Sequence, residues 1–355
     1  VIFTLHEHKD NDDELRETIK VAVVQAAPAF LNLQESVKKT IDLIDQAGQQ
    51  GVKLLAFPET WLPGYPWYIW LGTPAHTIHF SAQYANNSIE ANSPEEAAIS
   101  EAVKRNKLQV VMGVSEKKGG SLYMGQWHFA EDGTLLSRRR KLKPTHVERS
   151  VFGEGDGSDI IVNQTNIGNI GALCCWEHLQ PLTKYAMFAK QEQIHVASWP
   201  AYSVYADRTY ALSPAMSIAA TQTYAAEGQC FVLSACAVIS QEIHDFLCTT
   251  DEQRALIKVG GGYSQIFGPD GGPLADYLPE GEEGLVIADI NLDKIAFCKA
   301  AADPVGHYSR PDVFKLLFND KPSPVVMSFE EVGLSPAEQQ NDTVDTSNAE
   351  EKNDD

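Results

Sequence analysis

IKVAVVQAAPAFLNLQESVKKTIDLIDQAGQQGVKLLAF, residues 19 to 57, holds a strand, a helix and a second strand in one uninterrupted run. Ile19–Gln25 is rich in β-branched residues and predicts a buried strand. From Leu33 to Gly48, the residues Leu33, Val37, Ile41 and Ile44 recur at helical spacing, with Lys and Asp on the opposite face. Val52–Phe57 is apolar again, and Pro58 stops it. Reading outward, the alternation continues. Ser93 caps a helix that runs to about Arg105, with Pro94 in its first turn and Glu96 completing a capping box. Leu108–Val114 is the next strand. Gln126–Ala130 and Thr134–Arg140 flank an Asp-Gly turn, which predicts a hairpin. Further strands are expected at Asn169–Cys174, Ile194–Ser198, Phe231–Ala235 and Leu285–Ile290, and helices at Leu179–Lys190 and Ser213–Gly228. A second hairpin is expected from Tyr263–Phe267 and Leu274–Tyr277 around Pro269-Asp270-Gly271. β-α-β units mixed with hairpins predict an α/β layered protein with mixed sheets under helices.

No linker interrupts residues 18–298, so a single large domain is the simplest organisation. The 355-residue chain is 43% hydrophobic and 21% charged, enough to bury a core without staples. Its formal net charge of −20 argues against a nucleic-acid groove or an anionic membrane surface as the main partner. Much of that charge sits at the ends: residues 1–17 form a polar extension, and 330–355 an acidic tail too poor in apolar side chains to fold. No apolar run reaches the roughly 18 residues of a spanning helix, and no leader-like segment opens the chain, so a cytoplasmic location is expected. The six cysteines form no C-x-x-C pair and carry no zinc spacing; reduced thiols and no metal are expected.

Three places stand out, each just past an expected strand, where open α/β sheets put their sites. Glu59 follows Val52–Phe57 and is ringed by aromatics and prolines; it is either a desolvated general base or an exposed loop carboxylate. Arg138–Arg149 is the densest basic stretch, with Arg139, Lys141 and Lys143 on one face of an alternating strand. It is either a solvated face or the source of a lysine for an oxyanion. Leu173-Cys174-Cys175-Trp176-Glu177-His178 places a thiol at a strand-to-helix turn, where amides and the helix dipole favour thiolate. Only one of the two cysteines can face a site; the alternative is two core thiols. His178 and His195 leave a Cys–His pairing conceivable. Gly260-Gly261-Gly262 is no phosphate loop, because no Gly-Lys-Ser/Thr follows, so no nucleotide cofactor is assigned.

A Glu after the second strand, a Lys after the first hairpin and a Cys before a helix, in that order, resemble the nitrilase superfamily of C–N hydrolases. AFPETWLPGYPW (56–67), RRRKLKPTHVER (138–149), CCWEH (174–178) and DPVGHYSRPD (303–312) look like its true nitrilase branch, and the likeness runs from about Lys20 to Asn319. WLPGYPWYIWLG with ALCCWEH is most similar to arylacetonitrile-hydrolysing members. The resemblance implies a four-layer α-β-β-α sandwich. It also implies Cys175 as nucleophile, since that residue directly precedes Trp-Glu, with Glu59 as general base, Lys141 as the ammonium at the tetrahedral centre and Glu148 as a second, positioning glutamate. The backbone N–H at Trp176 would share the developing charge. Tyr65 and Trp199 would contact substrate, with Trp61, Trp67, Tyr68, Trp70 and Tyr202 as further aryl walls or else core. A small nitrile and water are the expected partners, neither metal nor organic cofactor is needed, and subunits would pair into a larger spiral, with 299–329 in subunit contacts. A cyanide-degrading enzyme or an amidase of the same superfamily is the alternative; His178 after Cys-Trp-Glu fits nitrilases better than the Asn common in cyanide hydratases.

Overall fold

Strand residues of both parities are buried, and the reason is that two sheets stack with helices outside each. The computed structural model describes residues 18–205 and 207–328; the N-terminal extension (1–17) and the acidic tail (330–355) lie outside them. The first half of the chain runs β1 (Ile19–Gln25), α1 (Leu33–Gln49), β2 (Leu54–Ala56), α2 (Pro74–Asn86), β3 (Ile89–Glu90), α3 (Pro94–Asn106), β4 (Gln109–Lys118), β5 (Ser121–Phe129), β6 (Leu135–Arg140) and β7 (Phe152–Gly153). The second half runs β8 (Val162–Thr165), β9 (Gly168–Cys174), α4 (Pro181–Ala189), β10 (Ile194–Trp199), α5 (Pro214–Gly228), β11 (Phe231–Cys236), α6 (Gln241–Leu247), α7 (Asp251–Arg254), β12 (Gln265–Phe267), β13 (Gly284–Ile290) and α8 (Asp293–Ala302).

The first sheet has the order β13-β1-β2-β4-β5-β6, with β3 and β7 attached at its side; the second is β12-β11-β10-β9-β8. Both are mixed: β1-β2-β4 and β9-β10-β11 are parallel, while β13, β5, β6, β8 and β12 run antiparallel to their neighbours. Alternation then sorts the side chains. Val21, Val23, Leu54 and Ala56 meet Ile170, Val196 and Leu233 between the sheets. Ala22, Val24 and Leu55 face Val37 and Ile44 of α1 and Val103 of α3. Leu173, Ala197 and Val232 face Met187 and Phe188 of α4 and Tyr224 of α5. The result is the expected α-β-β-α sandwich, with the carboxyl ends of β2, β9 and β10 brought to one place.

Helix starts follow the sequence closely. The Asn32 side chain accepts from the Glu35 N–H, Ser93 from Glu96, and Ser213 from Met216. Glu96 departs from the expected capping box: its carboxylate accepts the N–H of Asn92, one residue before the cap, and is held there by Arg138. The second hairpin is also incomplete. β12 forms, but Leu274–Tyr277 is not a strand; the return is reduced to one isolated bridge just ahead of it, Phe267 to Pro273, because Pro273 removes a ladder donor. Helix Leu179–Lys190 shortens to α4, since Cys175–Leu179 winds into a 3₁₀ turn ahead of Pro181.

Candidate active site

Glu59 reaches the site because β2 ends three residues earlier and its own backbone N–H donates to the Trp199 carbonyl of the other sheet at 3.2 Å. Gly113 of β4 makes room for this crossing: a Cβ there would stand 2.0 Å from the Pro58 carbonyl oxygen. The carboxylate is 1% exposed, so the loop-carboxylate alternative falls.

Lys141 lies one residue past β6, anchored by its N–H to the Met124 carbonyl at 2.8 Å. Its ammonium, 1% exposed, donates to Glu59 Oε1 at 3.0 Å and to Glu148 Oε2 at 2.8 Å. Glu148 in turn accepts the Thr145 N–H at 2.5 Å and the Tyr65 hydroxyl at 2.7 Å. Trp70 Nε1 donates to that same hydroxyl at 3.2 Å. The face expected to carry Arg139, Lys141 and Lys143 is split past the end of β6: Arg139 and Lys141 point inward, while Lys143 is exposed and pairs with Glu154.

Arg139 forms the second buried ion pair. Its guanidinium forks onto Glu177 at 2.8 and 3.0 Å, and Glu177 also accepts the N–H groups of Cys174 and Leu142 at 2.8 and 2.9 Å. The strand that delivers Lys141 is thereby fastened to the turn that delivers Cys175. Gln126 adds a second tie between the sheets, donating to Ser198 Oγ at 2.8 Å and to the Leu173 carbonyl at 3.2 Å.

Cys175 sits at the end of β9 with φ of +48°, a left-handed backbone that a non-glycine residue holds only under constraint. Its Sγ and carboxylate oxygens of Glu59 and Glu148 all lie within 4.8 Å of one another. Cys174 points the other way, fully buried with its sulfur 4.0 Å from Arg139. The Cys–His pairing does not form: His178 Nδ1 lies 2.6 Å from the Cys175 carbonyl oxygen, so that ring is spent on the backbone.

The cluster's electrostatics follow from burial. Desolvation raises the Glu59 carboxyl to about 8, against the pull of Lys141 and with a push from Glu148. Desolvation opposes the Lys141 charge too, but Glu148 and Glu59 outweigh it and hold the ammonium well above its usual range. Burial pushes the Cys175 thiol up, Glu59 adds to that, and Lys141 and the Trp176 N–H pull it back. Burial and the neighbouring Glu148 keep Tyr65 a phenol donor. Two carboxylates and a thiol at this spacing are also what a metal ion would use, the one such group among the described residues. Here the Lys141 ammonium already bridges both carboxylates as their cation.

The cavity above Cys175 is walled by Tyr65, Trp67, Trp70, Trp176, Trp199 and Tyr202. Trp61 and Tyr68 turn into the core instead: Trp61 Nε1 donates to Thr40 Oγ1 at 2.8 Å, and Tyr68 stacks on Phe80 at 4.7 Å. Thr145, Ser203, Leu212 and Ser217 also line it. They come from irregular loops and the start of α5, where no periodicity marks a lining residue in advance.

A thiol set beside a buried carboxyl, a second carboxylate and a shared ammonium defines a cysteine hydrolase on a layered α/β scaffold. The carbon-nitrogen hydrolase family model matches residues 20–300. The chain is 51% identical to a nitrilase of Pseudomonas syringae over 321 residues, 90% of this chain and 96% of that one. It is 49% identical to an arylacetone-specific nitrilase of Alcaligenes faecalis (86% of each chain) and 50% identical to an aliphatic nitrilase of Rhodococcus rhodochrous (87% and 84%). A carbon-nitrogen hydrolase from Helicobacter pylori superposes with a TM-score of 0.67 at 17% identity, over 83% of this chain and 97% of that one. The chain belongs to the carbon-nitrogen hydrolase family.

Proposed function

We propose that the protein hydrolyses organic nitriles to the carboxylic acid and ammonia, with Cys175 as nucleophile, Glu59 as general base, Lys141 as electrostatic stabiliser and Glu148 as the residue that positions Lys141. The observation that carries this reading is the bridge: Lys141 Nζ at 3.0 and 2.8 Å from Glu59 and Glu148, with the Cys175 sulfur within 4.8 Å of both carboxylates.

A nitrile carbon is electrophilic but resists hydration, and a soft thiolate adds to it more readily than water does. Glu59 Oε2 has no hydrogen-bond partner among the described residues and is free to take the thiol proton. A carboxyl raised to about 8 both accepts and returns a proton near neutrality. The S–C bond forms, one π pair moves to nitrogen, and Glu59 delivers the proton there, giving a thioimidate. Water then adds at carbon as Glu59 takes its proton. Glu59 passes that proton to nitrogen, the hydroxyl proton follows by the same route as the C–N bond breaks, ammonia leaves, and a thioester with its new C=O remains. A second water repeats the attack; the C–S bond breaks, the acid departs and the thiol is restored. Lys141 and the Trp176 N–H hold the negative charge at each tetrahedral stage.

Six aromatic walls favour an aryl or arylacetonitrile side chain, held by offset and edge contacts. Tyr65, Trp176 and Trp199 lie nearest the reacting group in this reading. Leu182 and Tyr185 of α4 and Phe314 and Leu317 beyond α8 are exposed apolar residues, which supports pairing of subunits across these surfaces and growth into a larger spiral. The described residues contain no helix long and apolar enough to cross a membrane, which is compatible with the cytoplasmic location proposed here.

Ammonia release tests this directly, across phenylacetonitrile, mandelonitrile, benzonitrile, an aliphatic nitrile, cyanide and one amide. Phenylacetonitrile or mandelonitrile turns over fastest; a lead for cyanide or the amide overturns the assignment. Cys175→Ala abolishes turnover, whereas Cys174→Ala keeps most of it. Full activity in Cys175→Ala removes the covalent mechanism.

A further inference from the structure

The mechanism leaves one buried polar chain unused. His178 Nδ1 lies 2.6 Å from the Cys175 carbonyl oxygen, and His178 Nε2 lies 3.0 Å from His195 Nε2. His195 Nδ1 lies 2.9 Å from Glu192 Oε2, and the Tyr224 hydroxyl donates to Glu192 Oε1. None of the four residues is more than 2% exposed. The His178 ring is also stacked on Trp199, with centroids 5.2 Å apart and an interplanar angle of 22°.

One end of this chain sets its protons. A carbonyl oxygen can only accept, so His178 carries its proton on Nδ1. Burial keeps His178 neutral, which leaves its Nε2 as an acceptor. His195 must then donate through Nε2, and its Nδ1 and Glu192 share the remaining proton. Each ring is fixed in tautomer and orientation by its neighbour.

We propose that His178, backed by His195, Glu192 and Tyr224, is a positioning residue that aims the Trp176 N–H at the reacting centre. The proposal rests on Cys175 being the nucleophile. The Cys175 carbonyl and the Trp176 N–H belong to one planar trans peptide and point in opposite directions. A grip on the oxygen therefore sets the direction of the hydrogen, which lies against Cys175 and favours its thiolate. The grip matters because Cys175 is left-handed, at φ +48°, and nothing in its own preference holds that plane in place. A hydrogen bond at the oxygen also polarises the amide and strengthens its N–H as a donor.

His178→Phe keeps a ring against Trp199 and removes the donor. With phenylacetonitrile, kcat falls roughly ten- to hundredfold while KM stays within about twofold, because the lost interaction belongs to the transition state. Alkylation of Cys175 by iodoacetamide, read by peptide mass, moves to higher pH. His178→Asn, whose amide can donate to the same carbonyl, recovers at least about fivefold of the lost rate. A folded His178→Phe at wild-type kcat, or His178→Asn no faster than His178→Phe, overturns the proposal. Should His178→Phe not fold, Glu192→Gln decides: a threefold or larger loss of kcat at unchanged KM (about 0.7 kcal/mol) supports it, and no change overturns it. Turnover that persists in Cys175→Ala sinks the nucleophile assignment instead, independently of His178.

Discussion

Replacing Lys141 by methionine keeps most of the side chain's volume and removes only the charge. Two buried carboxylates then lose the cation that sits 3.0 and 2.8 Å from them. Removing one partner of a buried ion pair costs about 3–5 kcal/mol. For a protein of this size each kcal/mol moves the melting midpoint by roughly 2–4 °C, so a fall on the order of 10 °C is expected near pH 8. The sign of the pH dependence follows from linkage. Without the ammonium, the folded-state Glu59 carboxyl rises further above its unfolded value. The variant is then least penalised at low pH, where both states are protonated, and loses stability as pH climbs. Differential scanning fluorimetry of wild type and Lys141→Met between pH 5.5 and 8.5 reads this difference, which should widen with pH. Ammonia release in parallel should fall at least about a hundredfold, the usual cost of removing a transition-state charge partner. A midpoint difference that stays constant across that pH range refutes the electrostatic reasoning, and near-wild-type kcat refutes the assigned role of Lys141.

As the proposed base, Glu59 would act only when ionised, and burial raises its carboxyl to about 8, so kcat/KM should climb with pH through that value; a flat profile from pH 6 to 9 counts against it. Gly113→Ala forces a Cβ to 2.0 Å from the Pro58 carbonyl, so it should lower the melting midpoint by several degrees and displace Glu59, with kcat falling more than KM rises. An unchanged midpoint would mean that the Pro58–Glu59 crossing yields more easily than its close contact implies.

Layer order was legible because alternation and helical spacing carry it. Ile19–Gln25, Leu33–Gly48 and Ser213–Gly228 form the expected elements to within a residue or two, since each has a strong pattern and a capping or stopping residue. The candidate triad was legible by order and by likeness, not by periodicity: residue type alone left Glu59 exposed or buried, and parity alone did not choose between Cys174 and Cys175. In the folded chain Glu59 is buried, and the Cys175 sulfur, not that of Cys174, groups within 4.8 Å of the Glu59 and Glu148 carboxylates. The Arg139–Glu177 fork and the Gln126–Ser198 tie were not legible, because residues 38 and 72 positions apart meet only once the two sheets have stacked. Helices α2, α6, α7 and α8 were missed for local reasons, and α8 opens with no side-chain cap. Their apolar stripes are weak, and Pro74, Ser240 and Thr250 mark starts that turns share.

Glu59 and Lys141 hang from one sheet and Cys175 from the other, so the reactive trio exists only where the two halves of the sandwich meet. A chain still emerging and folding carries its thiol apart from the base that would activate it. Under the proposed mechanism the sulfur is primed only where the sandwich has closed, so a partly assembled molecule offers no primed sulfur to stray electrophiles.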